Sequence, residues 1–251
     1  MKKELTRRDL ISRAGLALGS AVTLGALQAC GSDGSTPATE TPAATPQVAD
    51  FPYQQHLAAG YQLDPSPIRE AAYQGYYAGG CCHGAYSALL GHLAATAGAP
   101  FTLLPIDFGR FGGGGIASYG SICGAVLGGV LVINMITANA TARAAMMTDL
   151  MRWYEGNAFP AYAPSAINAG ETGLTLDFGA SNLVNLQVTP GSHLCHASVS
   201  SWCAAKAVSA TGADKKARCA RLTADVAGKV AEMLNAYLTA DAYTAAARLR
   251  T

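Results

Sequence analysis

The chain has 251 residues, 17 Lys and Arg against 16 Asp and Glu, and a formal charge of +1; half of it is hydrophobic and only 13% is charged. That balance excludes a disordered polyelectrolyte and a basic nucleic-acid binder, because neither a polar bias nor a charge excess is present. A disulfide-stapled mini-protein is excluded too, since a chain of this length buries a core without staples.

Residues 1–30 read as an address. Thr6-Arg7-Arg8-Asp9-Leu10 is a twin-arginine pattern, and the uncharged stretch from Ala14 to Ala29 is too short to span a bilayer comfortably. It ends in Leu27-Gln28-Ala29-Cys30, a lipobox-like sequence that would make Cys30 a lipid-bearing N-terminus; the alternative is a cut near Ala29 that leaves Cys30 a bystander. Residues 31–49, rich in Ser, Thr, Pro and Ala, fit a flexible linker. Together they predict export by the twin-arginine route to the periplasmic or extracytoplasmic face, with a lipid anchor to the membrane.

Residues 50–251 are expected to form one all-α domain, a mainly helical bundle. Asp64-Pro65 starts a helix with Pro at its first position, running to a break at Gly79-Gly80; a second helix follows to Gly98. Ser121 is placed as the cap of an apolar helix from Ile122 to about Ile136, and Thr141 as the start of another through Trp153. Glycines, prolines and the alternating Leu174-Thr175-Leu176 predict loops or a small hairpin near 158–190. Helices over 193–210 and 214–239 close the domain, with a short one after Asp241. The stripe Cys219, Leu222, Val226, Val230 and Met233 marks one buried face.

Six cysteines remain beyond Cys30. Cys81-Cys82, Cys123 and Cys195 each follow a glycine-containing breaker and fall in the first turn of a predicted helix. Free backbone N–H groups there favour a thiolate, the form that ligates iron or attacks a disulfide. Cys219 lies in the second turn of its helix, on the buried stripe. Burial as a small apolar residue is the plain alternative, and disulfides are a rival in an exported chain. No Cys-x-x-Cys pair occurs, so metal ligands would have to converge from distant helices.

Cys82-His83 and Cys195-His196 resemble the end of a c-type haem motif, but Gly79 and Ser192 stand where its first Cys belongs. That excludes ordinary covalent attachment and leaves noncovalent haem at His83 or His196. Cys203 follows His196 by seven residues, nearly on one helix stripe. His56, His92 and His193 read as ordinary core or surface histidines. The run Phe111-Gly112-Gly113-Gly114-Gly115 lacks the ending of a phosphate loop. Gly113 and Gly114 could instead lay N–H groups against cluster sulfides; a flexible loop is the alternative.

Cys123-Gly124-Ala125-Val126-Leu127-Gly128 is similar to the Cys-Gly-Ala-x-x-Gly signature of a family of redox-active proteins. That family also has an upstream Cys, a glycine run and two later cysteines, and Cys82, Gly112–Gly115, Cys195 and Cys219 occupy those places over residues 66–239. The exported form with Cys195-His196 and Trp202-Cys203 resembles the split-Soret cytochrome branch most. The resemblance implies a helical, dimeric protein with haem c and an iron–sulfur cluster. Without Cys-x-x-Cys-His, the cluster remains as the implied cofactor. The implied ligands are Cys82, Cys123, Cys195 and Cys219, joined by Cys203 or Cys81, and their sulfurs are expected to converge. The expected activity is electron transfer with an unidentified redox partner rather than substrate chemistry. A metal-free thiol–disulfide protein and a structural lipoprotein with disulfides are the alternatives.

Overall fold

Described in the computed structural model are residues 50–240 and Tyr243. They belong to one unit of the chain, Pro46–Thr251. The leader, Cys30, the linker and the helix expected after Asp241 lie outside the described residues.

α1 spans Pro65–Ala97. The Asp64 side chain accepts from Ser66 N at 2.9 Å, and Pro65 supplies a pre-set φ at the first position. Gly80 breaks it with φ 84°, ψ 178°, so the backbone restarts at Cys81. This is the predicted pair of helices, kinked rather than separated. After two short 3-10 segments, Phe101–Leu103 and Ile106–Gly112, come α2 (Gly124–Ile136) and α3 (Ala140–Gly156). Asn139 caps α3 through a bond from Ala142 N of 3.0 Å. α4 (Leu183–Leu186) is a single turn; α5 (Cys195–Lys206) and α6 (Ala213–Ala240) complete the order. Among the described residues no helix is long and apolar enough to cross a membrane.

α6 is the central element, packed by α1, α2 and α3. Leu222, Val226, Val230 and Met233 are buried as the stripe predicts, and so are Ala220, Ala224, Ala227 and Ala231. Small side chains let the neighbouring helices close in on it.

Two local expectations are corrected. Ser121 does not cap α2: its hydroxyl donates to Gly115 O at 2.8 Å and its carbonyl receives Cys195 N, so the helix starts later, with Cys123 at the cap. No hairpin forms at Leu174–Leu176, because Thr175 N, Thr175 Oγ1 and Leu176 N all donate to the Asp214 carboxylate at the start of α6. Apart from the single turn of α4, the 158–190 segment is loop, with a β-bridge between Phe159 and Val188.

Candidate metal and redox site

The cysteines are brought together by three devices. The Gly80 break puts Cys81 and Cys82 at the start of the second half of α1, both buried. The segment 112–121 folds on itself through Ala117 N to Phe111 O and Gly120 N to Gly114 O, with positive φ at Gly114, Gly115, Ile116, Ala117 and Ser118. A bridge of Ile122 with Leu194 then ties the entry of α2 to the entry of α5. Cys123 N donates to His193 O at 2.9 Å, and His196 N to Gly120 O at 3.0 Å. Cys195 therefore opens α5 beside Cys123, and α6 brings Cys219 from below.

Glycine permits this approach. A Cβ on Gly124 would come under 3.0 Å from the Cys81 sulfur and the Gly112 carbonyl, and one on Gly128 would meet the Cys82 carbonyl. The two glycines of the Cys-Gly-Ala-x-x-Gly stretch thus form the face of α2 that rests on the Cys81-Cys82 turn.

Cys81, Cys123, Cys195 and Cys219 lie near one another. Beyond burial, Cys123, Cys219 and Cys195 add to the raised pKa of Cys81; Cys123 and Cys219 add to that of Cys195, and Cys219 to that of Cys123. Cys82 and Cys203 stand at the margin of this group, Cys82 interacting with Cys123 and Cys203 with Cys219. All six are free of disulfides. Backbone N–H groups of Gly114, Gly112 and Ala125 reach the thiols of Cys81, Cys82 and Cys123. Of the two glycines singled out, Gly114 therefore faces the thiols, whereas Gly113 N donates to Arg110 O at 3.4 Å. The glycine run is a hydrogen-bonded loop.

The helix starts do not make thiolates by themselves. Burial pushes Cys82 and Cys195 up to about 12 and raises Cys81 and Cys123 as well, and the neighbouring thiols add to it. Burial thus favours the neutral thiol at Cys81, Cys82, Cys123 and Cys195, and iron binding to a thiol releases its proton.

Several side chains here escaped the sequence reading. Arg218 is buried beside Cys219, its Nη1 3.8 Å from that sulfur. Arg218 Nη2 and Tyr154 OH both donate to Ser198 Oγ at 2.7 Å, and Tyr154 also shares a hydrogen bond with Cys123. Tyr76 borders Cys219, Cys81 and Cys195, and with Tyr77, Gly80, Lys215 and Lys216 it lines an open cleft of about 470 Å³. Cys195 and Cys219 are partly exposed, so the site reaches solvent. The available signal was the spacing: Arg218, Arg221 and Asp225 fall at three- and four-residue steps along α6, like its apolar stripe.

His83 is buried with Nδ1 unbonded; burial first, then Arg110, lowers its pKa, while Asp107 at 3.7 Å opposes. His196 is exposed at the start of α5. His193 pairs with Glu155 at 2.6 Å, and His92 accepts from Asp64 N.

A helical domain that gathers thiols from α1, α2, α5 and α6 beside one buried cation has the build of a cysteine-centred redox protein. The family model "Putative redox-active protein (C_GCAxxG_C_C)" matches residues 77–233, and the chain belongs to that family. It is 35% identical over 234 residues to split-Soret cytochrome c of Desulfovibrio desulfuricans, covering 91% of this chain and 77% of that one. The solved structure titled "A novel iron centre in the split-Soret cytochrome c" from that organism is similar with a TM-score of 0.62 and 34% identity over 70% of each chain. The expected family and the all-α fold are both correct, and the protein is a redox protein of the electron-transfer kind.

Proposed function

We propose that the protein is an exported electron carrier whose cysteines hold an iron–sulfur centre. One observation carries the reading: the Gly80 break, the bridge of Ile122 with Leu194 and the close approach of Gly124 to the Cys81 sulfur bring Cys81, Cys123 and Cys195 to one place. Cys219, against Arg218, lies beside them; two of the four thiols are buried and two are at the edge. Cys123, Cys195 and Cys219 would hold iron together with one thiol of the Cys81-Cys82 pair, of which Cys81 faces the other three. Among the described residues no three His, Cys, Asp or Glu are placed to close on a single metal ion. When bound, an iron–sulfur centre supplies one-electron redox chemistry. The chain supplies the rest: Gly112, Gly114 and Ala125 donate N–H groups to sulfur, the core excludes water, and the Tyr76 cleft opens one side to a partner. The relative's title names an iron centre, which agrees with this reading.

The test is anaerobic purification of the full chain with iron and acid-labile sulfide analysis. The proposal expects both, in comparable amounts, and their loss in Cys123→Ser. Neither iron nor sulfide, with a free-thiol count that rises on reduction, would instead establish the metal-free thiol–disulfide reading. A mass spectrum of the denatured mature chain is expected to show no haem-sized increment, because neither Cys-His pair has a partner thiol at the required spacing. Noncovalent haem would stay with His83 or His196.

Export, lipidation at Cys30 and homodimer formation belong to the same proposal. Replacing Arg7 and Arg8 with Lys should strand the precursor in the cytoplasm; unchanged export would refute the twin-arginine route.

A further inference from the structure

Arg218 is 1% exposed. Its Nη2 is bonded to Ser198, its Nη1 faces the Cys219 sulfur, and its Nε has no partner. Arg221, three residues on, is just as buried, yet Glu171 matches it with two bonds of 2.7 Å. Among the described residues Arg218 has no such carboxylate. Asp225, two turns along α6, feels its charge but is bonded to Ala161 N instead. A guanidinium stripped of water and left unmatched is strongly unfavourable. Arg218 Nη1 lies 3.8 Å from the Cys219 sulfur, and the charge is felt by Cys123, Cys195 and Cys203 as well as by Tyr154.

We infer that Arg218 is the internal counter-cation of the thiolate-bound centre, favouring its reduced, more negative state. The inference rests on the iron–sulfur reading and adds a positioning and potential-setting residue to it. Each ligand thiol gives its proton to solvent on loading, and those negative charges are the match Arg218 lacks. On reduction one electron arrives from a one-electron donor, no bond forms or breaks, and the negative charge beside Arg218 grows by one. Opposite charge at close range in a dry site stabilises that gain.

The experiment uses the full chain loaded anaerobically with iron and sulfide, as wild type, Arg218→Met and Arg218→Lys. The donor is dithionite, whose SO2 radical anion gives one electron and ends as sulfite. Loaded Arg218→Met should be about tenfold harder to reduce, a midpoint ~59 mV more negative for one electron, while Arg218→Lys stays near wild type. Metal-free Arg218→Met should resist urea better than the metal-free wild type, because the unmatched charge is gone. Iron uptake lost in Arg218→Met and restored in Arg218→Lys would support the same role. An unchanged potential in Arg218→Met, uptake lost equally in both variants, or an Arg218→Met chain that cannot fold metal-free would overturn it. A wild-type chain that takes up no iron and sulfide would defeat the iron–sulfur reading itself, and this inference with it.

Discussion

Single atoms decide how close the thiols come. Gly124 has no room for a methyl group against the Cys81 sulfur and Gly112 carbonyl, whereas a Cβ on Gly91, also helical, meets nothing within 4 Å. The same substitution should therefore have opposite signs. Gly124→Ala is expected to cost about 1–3 kcal/mol through overpacking and to weaken iron uptake. Gly91→Ala should gain roughly 0.4–1 kcal/mol by restricting the unfolded chain. Denaturant midpoints of the two variants check both. Asp225 gives a pH dependence. Burial raises its carboxyl to about 7, against bonds from Ala161 and Tyr162 and the charges of Arg69 and Arg218. A carboxyl raised above its unfolded value of roughly 3.9 stabilises the fold fully below that value. This contribution is lost as pH rises through about 7. Urea midpoints of wild type should fall relative to Asp225→Asn between acid and mildly alkaline pH. A constant difference would refute the assignment.

At the level of elements, the long 158–190 loop is held to the helices by buried charge. Glu171 receives both terminal nitrogens of Arg221 on α6 and the hydroxyls of Tyr73 and Tyr77 on α1, at 2.6–2.9 Å. Arg221 also lies over the Phe178 ring at 4.6 Å. Glu171→Gln leaves the guanidinium buried without its anion, and should cost about 3–5 kcal/mol, read from denaturant unfolding. Element starts written in local chemistry were legible: Asp64-Pro65 opens α1, the Gly79-Gly80 pair breaks it, and the apolar stripe marks α6. Starts set by distant partners were not. Ser121 has the chemistry of a cap, but its carbonyl is taken by Cys195 across the fold. Thr175 and Leu176 alternate like a strand, yet their N–H groups find Asp214 closer than any second strand. The charged residues on α6 were overlooked because an apolar stripe draws attention to its hydrophobic members alone.

For the whole molecule, the family likeness pointed to which cysteines matter, and the fold supplies how they meet. Sequence placed Cys81, Cys123 and Cys195 at helix starts, but not the bridge between Ile122 and Leu194 that draws two starts together. It favoured Cys82 as the ligand and Cys81 as an addition, whereas Cys81 is the one that interacts with the other three thiols; adjacent residues in a helix turn point about 100° apart. It also favoured thiolates at those starts, where burial instead raises the pKa of Cys81, Cys82, Cys123 and Cys195. The proposal that sulfur holds iron in this helical domain rests on these features. The iron K-edge absorption spectrum of the anaerobically loaded full chain tests that claim most directly. The account predicts a first shell of sulfur at roughly 2.3 Å with iron neighbours beyond it; a first shell of nitrogen and oxygen alone would contradict it.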